Sequence, residues 1–242
     1  PVTEAVAWSF YGQGYRLTGN YIKALESHNK AIQIGENVED KSVLAYTFNQ
    51  IGHIYKDREE TDKALHYYWN SKYFAELGNN KLVQGYASMN LGAVYLNVDK
   101  FDSALYYSMK AYQIFKTEDE IATLIRMEMS EDHKFADIDM YVLTNIGSAY
   151  SKQKNYEQAE RFFMEARKPV KNTVPNKRYL HILLYNLAQH FQRKNMPDSI
   201  LYFARLSISV IETSSFAYLS AKPAKLLSDF YEDINPDSTV KY

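Results

Sequence analysis

The chain has 242 residues, 46% of them hydrophobic and 24% charged, a balance typical of a folded domain. Its 28 basic and 29 acidic side chains leave a formal charge of −1, without the basic surplus that binding to nucleic-acid phosphates needs. The absence of cysteine excludes disulfides and thiolate metal sites, and no apolar run approaches the roughly 18–20 residues of a membrane span.

In chain order, the predicted elements are helical hairpins. The first, over 4–38, has Tyr11, Gly12 and Tyr15 on one helix, the breaker "TGN" at 18–20, and Ala24, His28 and Ala31 on a second helix. The second, over 40–78, repeats this with Ile51, Gly52 and Tyr55, then "DRE" at 57–59, then Ala64, Tyr68 and Ser71. The third, over 80–116, reads Leu91, Gly92, Tyr95, "NVDK" at 97–100, Ala104, Ser108 and Ala111. An insert over 117–133 follows, which either lengthens a helix or adds a small one. The fourth hairpin, 135–170, has Ile146, Gly147, Tyr150, "QKN", Ala159, Phe163 and Ala166. The fifth, 176–213, has Leu187, Ala188, Phe191, "NMPD", Ile200, Ala204 and Ser207. A partial sixth runs over 216–242 around Leu227, Ser228 and Tyr231. Because the chain begins at Pro1 and stops early in this sixth unit, it reads as part of a longer polypeptide.

The letters have a packing reason. Apolar residues spaced by three and four make one stripe on each helix. A glycine or alanine on the first helix, facing small residues on the second, lets the two approach closely, and the aromatic fills the gap left by their small size. Asp62, Asp102, Glu157 and Asp198 fall in the first turn of second helices, where the helix dipole favours them, and Pro197 suits a first-turn position.

Trp8, Tyr11, Gly12, Tyr15, Ala24 and Ala31 resemble the tetratricopeptide pattern W-x2-L-G-x2-Y…A-x3-F, and the periodic resemblance covers about residues 4–242. The spacing is near 40 residues, similar to bacterial tetratricopeptide sensors and kinesin light chains, and His28, Ser108 and Ala204 replace the usual bulky residue of the second helix. The resemblance implies an all-α fold: a right-handed α-α superhelix, a single solenoid of five helical hairpins plus a partial sixth.

No chemistry-bearing motif accompanies the repeats. None of His28, His53, His66, His133, His181 and His190 has a second histidine four residues on, so a helical zinc site is unsupported. The acidic stretches at 118–120 and 130–133 read as solvated charge, and "GQG" at 12–14 lies inside a helix. No phosphate loop or nucleophile elbow is present. The expectation is a non-enzymatic protein without cofactor or metal.

The resemblance places the concave lining on the first helix of each hairpin, six, three and two residues before the anchor, one after it, and four or five after it. The first four of these positions hold Tyr46, Asn49, Gln50 and His53; Tyr86, Met89, Asn90 and Ala93; Tyr141, Thr144, Asn145 and Ser148; Ile182, Tyr185, Asn186 and Gln189. The amides Gln50, Asn90, Asn145 and Asn186 recur two residues before the anchor, and a carboxamide offers donor and acceptor to an extended peptide or, equally, to a neighbouring helix. The tyrosines add flat surface with a polar tip. Tyr67, Tyr68, Tyr106 and Tyr107 read as core. The lysine that clamps chaperone tails is missing: its slot holds Ser9, Asn49, Met89, Thr144 and Tyr185.

The expected partner is a peptide or protein segment, with neither nucleic acid nor membrane engaged by this region and with homo-oligomers compatible. The expected setting is the sensor or interaction region of a larger bacterial signalling or regulatory protein, in cytoplasm or periplasm. An assembly module and a glycan-binding nutrient-uptake lipoprotein are the alternatives.

Overall fold

The structure is a computed structural model that describes residues 1–126, 136–168, 176–214 and 216–234. Among these there are α-helices, a short 3-10 turn at Ala217–Ser220 and no strand. The chain divides into two compact units, Pro1–Ser130 and Glu131–Tyr242.

Unit 1 holds three hairpins: α1 (Val2–Leu17) with α2 (Tyr21–Gly35), α3 (Ser42–Asp57) with α4 (Thr61–Leu77), and α5 (Lys81–Asn97) with α6 (Phe101–Arg126). First helices pack side by side, α1 on α3 and α3 on α5, while α2 packs on α3 and α4 on α5. Unit 2 pairs α7 (Ala136–Lys152) with α8 (Tyr156–Ala166) and α9 (Lys177–Arg193) with α10 (Pro197–Ile211). There α7 lies against α9, and α10 against α11 (Ala221–Ile234). The insert lengthens a helix as far as Arg126, whereas its remainder to residue 133, and the sixth hairpin beyond Ile234, lie outside the described residues.

One backbone device closes every hairpin. Seven residues after each anchor stands a residue with positive φ: Gly19 (76°), Glu59 (60°), Asp99 (57°), Lys154 (62°) and Asn195 (54°). The next N–H then bonds back to the carbonyl of the aromatic three after the anchor, at Tyr15, Tyr55, Tyr95, Tyr150 and Phe191. This left-handed turn ends the first helix and aims the second back along it. Glycine takes that conformation without a Cβ penalty, yet only the first hairpin uses one. Asn20 and Asn155 then cap the following helices by accepting from Lys23 N–H and Gln158 N–H.

The anchors work as close-approach sites. A Cβ added to Gly12 would meet the His28 ring at 2.5 Å, one at Gly52 the Tyr68 ring at 2.5 Å, and one at Gly147 the Phe163 ring at 2.9 Å. At Gly92 the facing residue is Ser108, and such a Cβ would meet backbone of the second helix, with Ser108 N at 3.0 Å and Ala104 O at 3.2 Å. In the fifth hairpin Ala188 and Ala204 are both buried. The small residues twelve and nineteen after the anchors, such as Ala24, Ala64, Ala31 and Ser71, are buried throughout.

The gap-filling ring is therefore the one sixteen residues after the anchor, not the aromatic three after it. That earlier aromatic instead stacks on a ring fifteen after the anchor: Tyr55 on Tyr67, Tyr95 on Tyr107, Tyr150 on Phe162 and Phe191 on Phe203, with centroids 5.2–5.6 Å apart. The core expectation for second-helix tyrosines holds in full for Tyr68 alone. Tyr67 and Tyr107 are half-buried and Tyr106 is exposed.

Candidate functional site

In unit 1 the predicted lining sits on α3 and α5. Tyr46, His53 and Tyr86 are half-buried, whereas Asn49, Gln50, Met89 and Asn90 are buried. Asn49 and Asn90 are joined in a directed chain. Asn90 Nδ2 donates to Asn49 Oδ1 at 2.9 Å, and Asn49 Nδ2 lies 3.3 Å from His53 Nε2. His53 Nδ1 lies 2.9 Å from the Tyr68 hydroxyl. With Nε2 accepting, the neutral ring carries its proton on Nδ1 and passes the polarity on to Tyr68. This chain links α5 through α3 to α4, so Asn49 and Asn90 brace neighbouring helices, whereas Gln50 Oε1 is buried without a hydrogen-bond partner among the described residues.

Two residues of the first repeat extend this face. Phe10 and Gln13 stand two before and one after Gly12, the same offsets as Gln50 and His53. Phe10 is 57% exposed with its ring 5.9 Å from that of Tyr46, and the Tyr46 hydroxyl donates to Gln13 Oε1 at 3.1 Å. Burial raises the Tyr46 pKa, so its hydroxyl remains a donor at neutral pH. Extending the offsets back by one repeat finds both residues.

In unit 2 the predicted residues lie on α7 and α9. Thr144 and Asn145 are buried, and Tyr141, Tyr185, Asn186 and Gln189 are half-buried. Thr144 donates to Met140 O on its own helix. The Ser148 hydroxyl lies 2.8 Å from both Thr144 O and Asn186 Oδ1, either of which can take its one proton. Asn186 Nδ2 donates to Ile182 O at 2.8 Å. Gln189 Nε2 donates to the Tyr185 hydroxyl at 3.1 Å, whose pKa burial raises. Tyr141 lies against Tyr179, which the offsets do not include. Asn145 Nδ2 is buried and has no hydrogen-bond partner among the described residues.

A second polar cluster was not legible in the sequence. Ser151 Oγ lies 2.9 Å from His190 Nδ1, and His190 Nε2 lies 3.3 Å from Glu160 Oε1, to which Lys194 also donates. The composition is that of a hydrolytic triad, but Ser151 and His190 are fully buried and Tyr156, Phe163 and Phe191 surround the imidazole. A scissile carbonyl has no approach to Ser151 Oγ, so the cluster ties α7 to α8 and α9. Burial lowers the His190 pKa against the opposing pull of Glu160, and the hydrogen bond from Lys194 is the main cause that lowers Glu160. Buried His181, held by Ser207, is likewise pushed down by burial.

His28 has no such partner. Its ring is fully buried, neither nitrogen is hydrogen-bonded, and burial first, then the Arg16 charge, lowers its pKa to about 4. Among the described residues no group of three or more His, Asp or Glu side chains is arranged to hold a metal, and no helix is long and apolar enough to cross a membrane. Of the two acidic stretches, 130–133 lies outside the described residues.

A family model described as tetratricopeptide repeat matches residues 3–68, and another of the same description matches 141–166. The crystal structure of BtubC (BKLC) from P. vanneervenii is similar, with a TM-score of 0.63 and 16% identity over 84% of this chain and 78% of that one. At that identity the likeness shows the fold. No curated protein matches the chain.

Proposed function

Because the chain carries tetratricopeptide repeats over 3–68 and 141–166, which mark a protein-interaction scaffold, we propose that its first-helix faces bind a peptide or protein segment without catalysis. The observation that supports this reading most directly is the recurring half-buried tyrosine six residues before the anchor, at Tyr46, Tyr86 and Tyr141. A half-buried tyrosine offers a wide apolar face with few torsions to freeze and a hydroxyl at its tip, which suits it to contact with a peptide. We read the region as the sensor or interaction part of a larger signalling or regulatory protein, on the resemblance of "DSALYYSMKAYQI" and "PDSILYFARLSI" to repeats in such proteins.

The reading is tested by selecting a displayed random peptide library on the whole chain and titrating the recovered peptides against variants. Tyr46→Ala and Tyr141→Ala are expected to weaken binding, and Tyr106→Ala and Tyr202→Ala, which change exposed second-helix rings, are expected to leave it unchanged. Recovery only of peptides lost with Tyr106→Ala or Tyr202→Ala refutes the assignment of the face.

A further inference from the structure

We infer that α9 is an acid-released element: protonation of His181 and His190 undocks it from its neighbours and withdraws its share of the unit 2 binding face. The undocking stands on the geometry of unit 2, and its consequence for a ligand rests on the first-helix binding reading above.

The helix α9 carries Ile182, Tyr185, Asn186 and Gln189 at lining offsets, and two buried imidazoles outside those offsets. Nine residues or about two and a half turns apart, His181 and His190 stand on opposite sides of the helix. His181 Nδ1 lies 2.9 Å from the Ser207 hydroxyl and 3.0 Å from Ser207 O, both on α10. His190 Nδ1 lies 2.9 Å from the Ser151 hydroxyl on α7, and its Nε2 faces Glu160 on α8. Ser151 and Ser207 are themselves fully buried. Each of α7, α8 and α10, which pack on α9, is thus met through an imidazole.

The charges around the rings decide the sign. Burial, opposed by the bond to Ser207 O, lowers the His181 pKa, and no ionised group is among its causes. Around His190 stand Ser151 from α7, Tyr156 and Glu160 from α8, and Arg193 and Lys194 from α9 itself. Glu160 favours an imidazolium, but Lys194 already donates to the same Oε1, and burial prevails. A neutral imidazole accepts as well as donates, whereas an imidazolium only donates and brings a charge that the interior does not solvate. The docked helix therefore keeps both rings neutral below the ordinary 6.5, where the undocked helix binds two protons. Docking is at full strength above pH 6.5 and weakens as pH falls below it.

The experiment measures amide hydrogen exchange of the whole chain by mass spectrometry at pH 7.5 and 5.5, corrected for the intrinsic rate. Wild type is compared with the double variant His181→Asn/His190→Asn, whose carboxamides offer a donor and an acceptor near the Nδ1 position and do not ionise. On acidification the opening equilibrium of residues 177–193 is expected to rise about ten-fold or more in wild type and to change little in the variant. Peptides recovered at pH 7.5 are titrated at both pH values, and their affinity for wild type is expected to fall by a similar factor. Nitrogen-15 spectra of the histidine rings need no substitution, and both imidazoles are expected to protonate below 6.5 in the folded protein. Exchange that rises equally in both proteins, or in neither, overturns the inference, as does a folded-state imidazole that titrates at 6.5 or above. Affinities that do not change with pH, with the exchange as expected, overturn the release of ligand and leave the first-helix reading in place. Recovery of no peptide at pH 7.5 refutes that reading and the release with it, and the exchange then decides the undocking alone.

Discussion

Acid should weaken unit 1 through His28, and changing that residue to phenylalanine should remove the effect. The imidazole is fully buried on Gly12, with no acceptor or donor for either nitrogen, so the native state holds it neutral down to a pKa of about 4. In the unfolded chain the group titrates near its ordinary 6.5. Between these values the unfolded state binds a proton that the native state does not, so stability falls as pH falls through this window. The linkage relation gives a loss of about 2 kcal/mol at pH 5, approaching about 3 kcal/mol below pH 4. Phe163 fills the same offset opposite Gly147, so a phenyl ring suits the slot, and His28→Phe also removes two unsatisfied nitrogens. The assay is urea unfolding of both proteins from pH 7.5 to 4.5, followed by tryptophan fluorescence. Trp8 and Trp69 are the only tryptophans and both lie in unit 1, so the signal excludes the buried His181 and His190 of unit 2. The stability difference between variant and wild type should widen as pH falls. A difference that stays flat over that range refutes the claim that burial of a neutral imidazole sets the acid response.

Two further perturbations test the packing and the brace. Gly52→Ala places a methyl 2.5 Å from the Tyr68 ring and should cost about 1–3 kcal/mol. Gly14→Ala, in a helix with nothing within 4 Å of the new methyl, should gain about 0.5–1 kcal/mol. Both are read as shifts in the urea midpoint of tryptophan fluorescence, and equal signs for the two would contradict the close-approach account. For the amide chain, the double-mutant cycle Asn49→Ala/Asn90→Ala should give a coupling of about 0.5–1.5 kcal/mol in the same assay, and additive single effects would remove the bond from the account.

The framework was legible because it is decided by size alone. A glycine such as Gly52 and the alanine twelve residues on, Ala64, are small wherever two helices must touch, so they repeat with the hairpin. The turn residues were legible only as breakers. Nothing in the letters of Glu59 or Lys154 announces positive φ, because the requirement comes from closing the hairpin and not from the residue. Ring stacking escaped the reading for a different reason. Tyr55 and Tyr67 are on different helices, and the facing offset depends on the turn between them. The same holds for the Ser151–His190–Glu160 cluster, whose members come from α7, α9 and α8.

The amides make the sharpest case, since one letter at one offset has different fates. Asn90 meets Asn49, the residue three before the anchor of the preceding repeat. Asn186 meets Ser148, the residue one after the preceding anchor. The fate of each amide is therefore written in the neighbouring repeat, not in its own. Where the neighbour supplies an oxygen, the amide braces two helices and its capacity is spent. Asn145 Nδ2, by contrast, is buried without a hydrogen-bond partner among the described residues. A carboxamide has few bonds to give. An amide whose bonds go to a neighbouring helix, as those of Asn90 and Asn186 do, has that much less capacity for anything else.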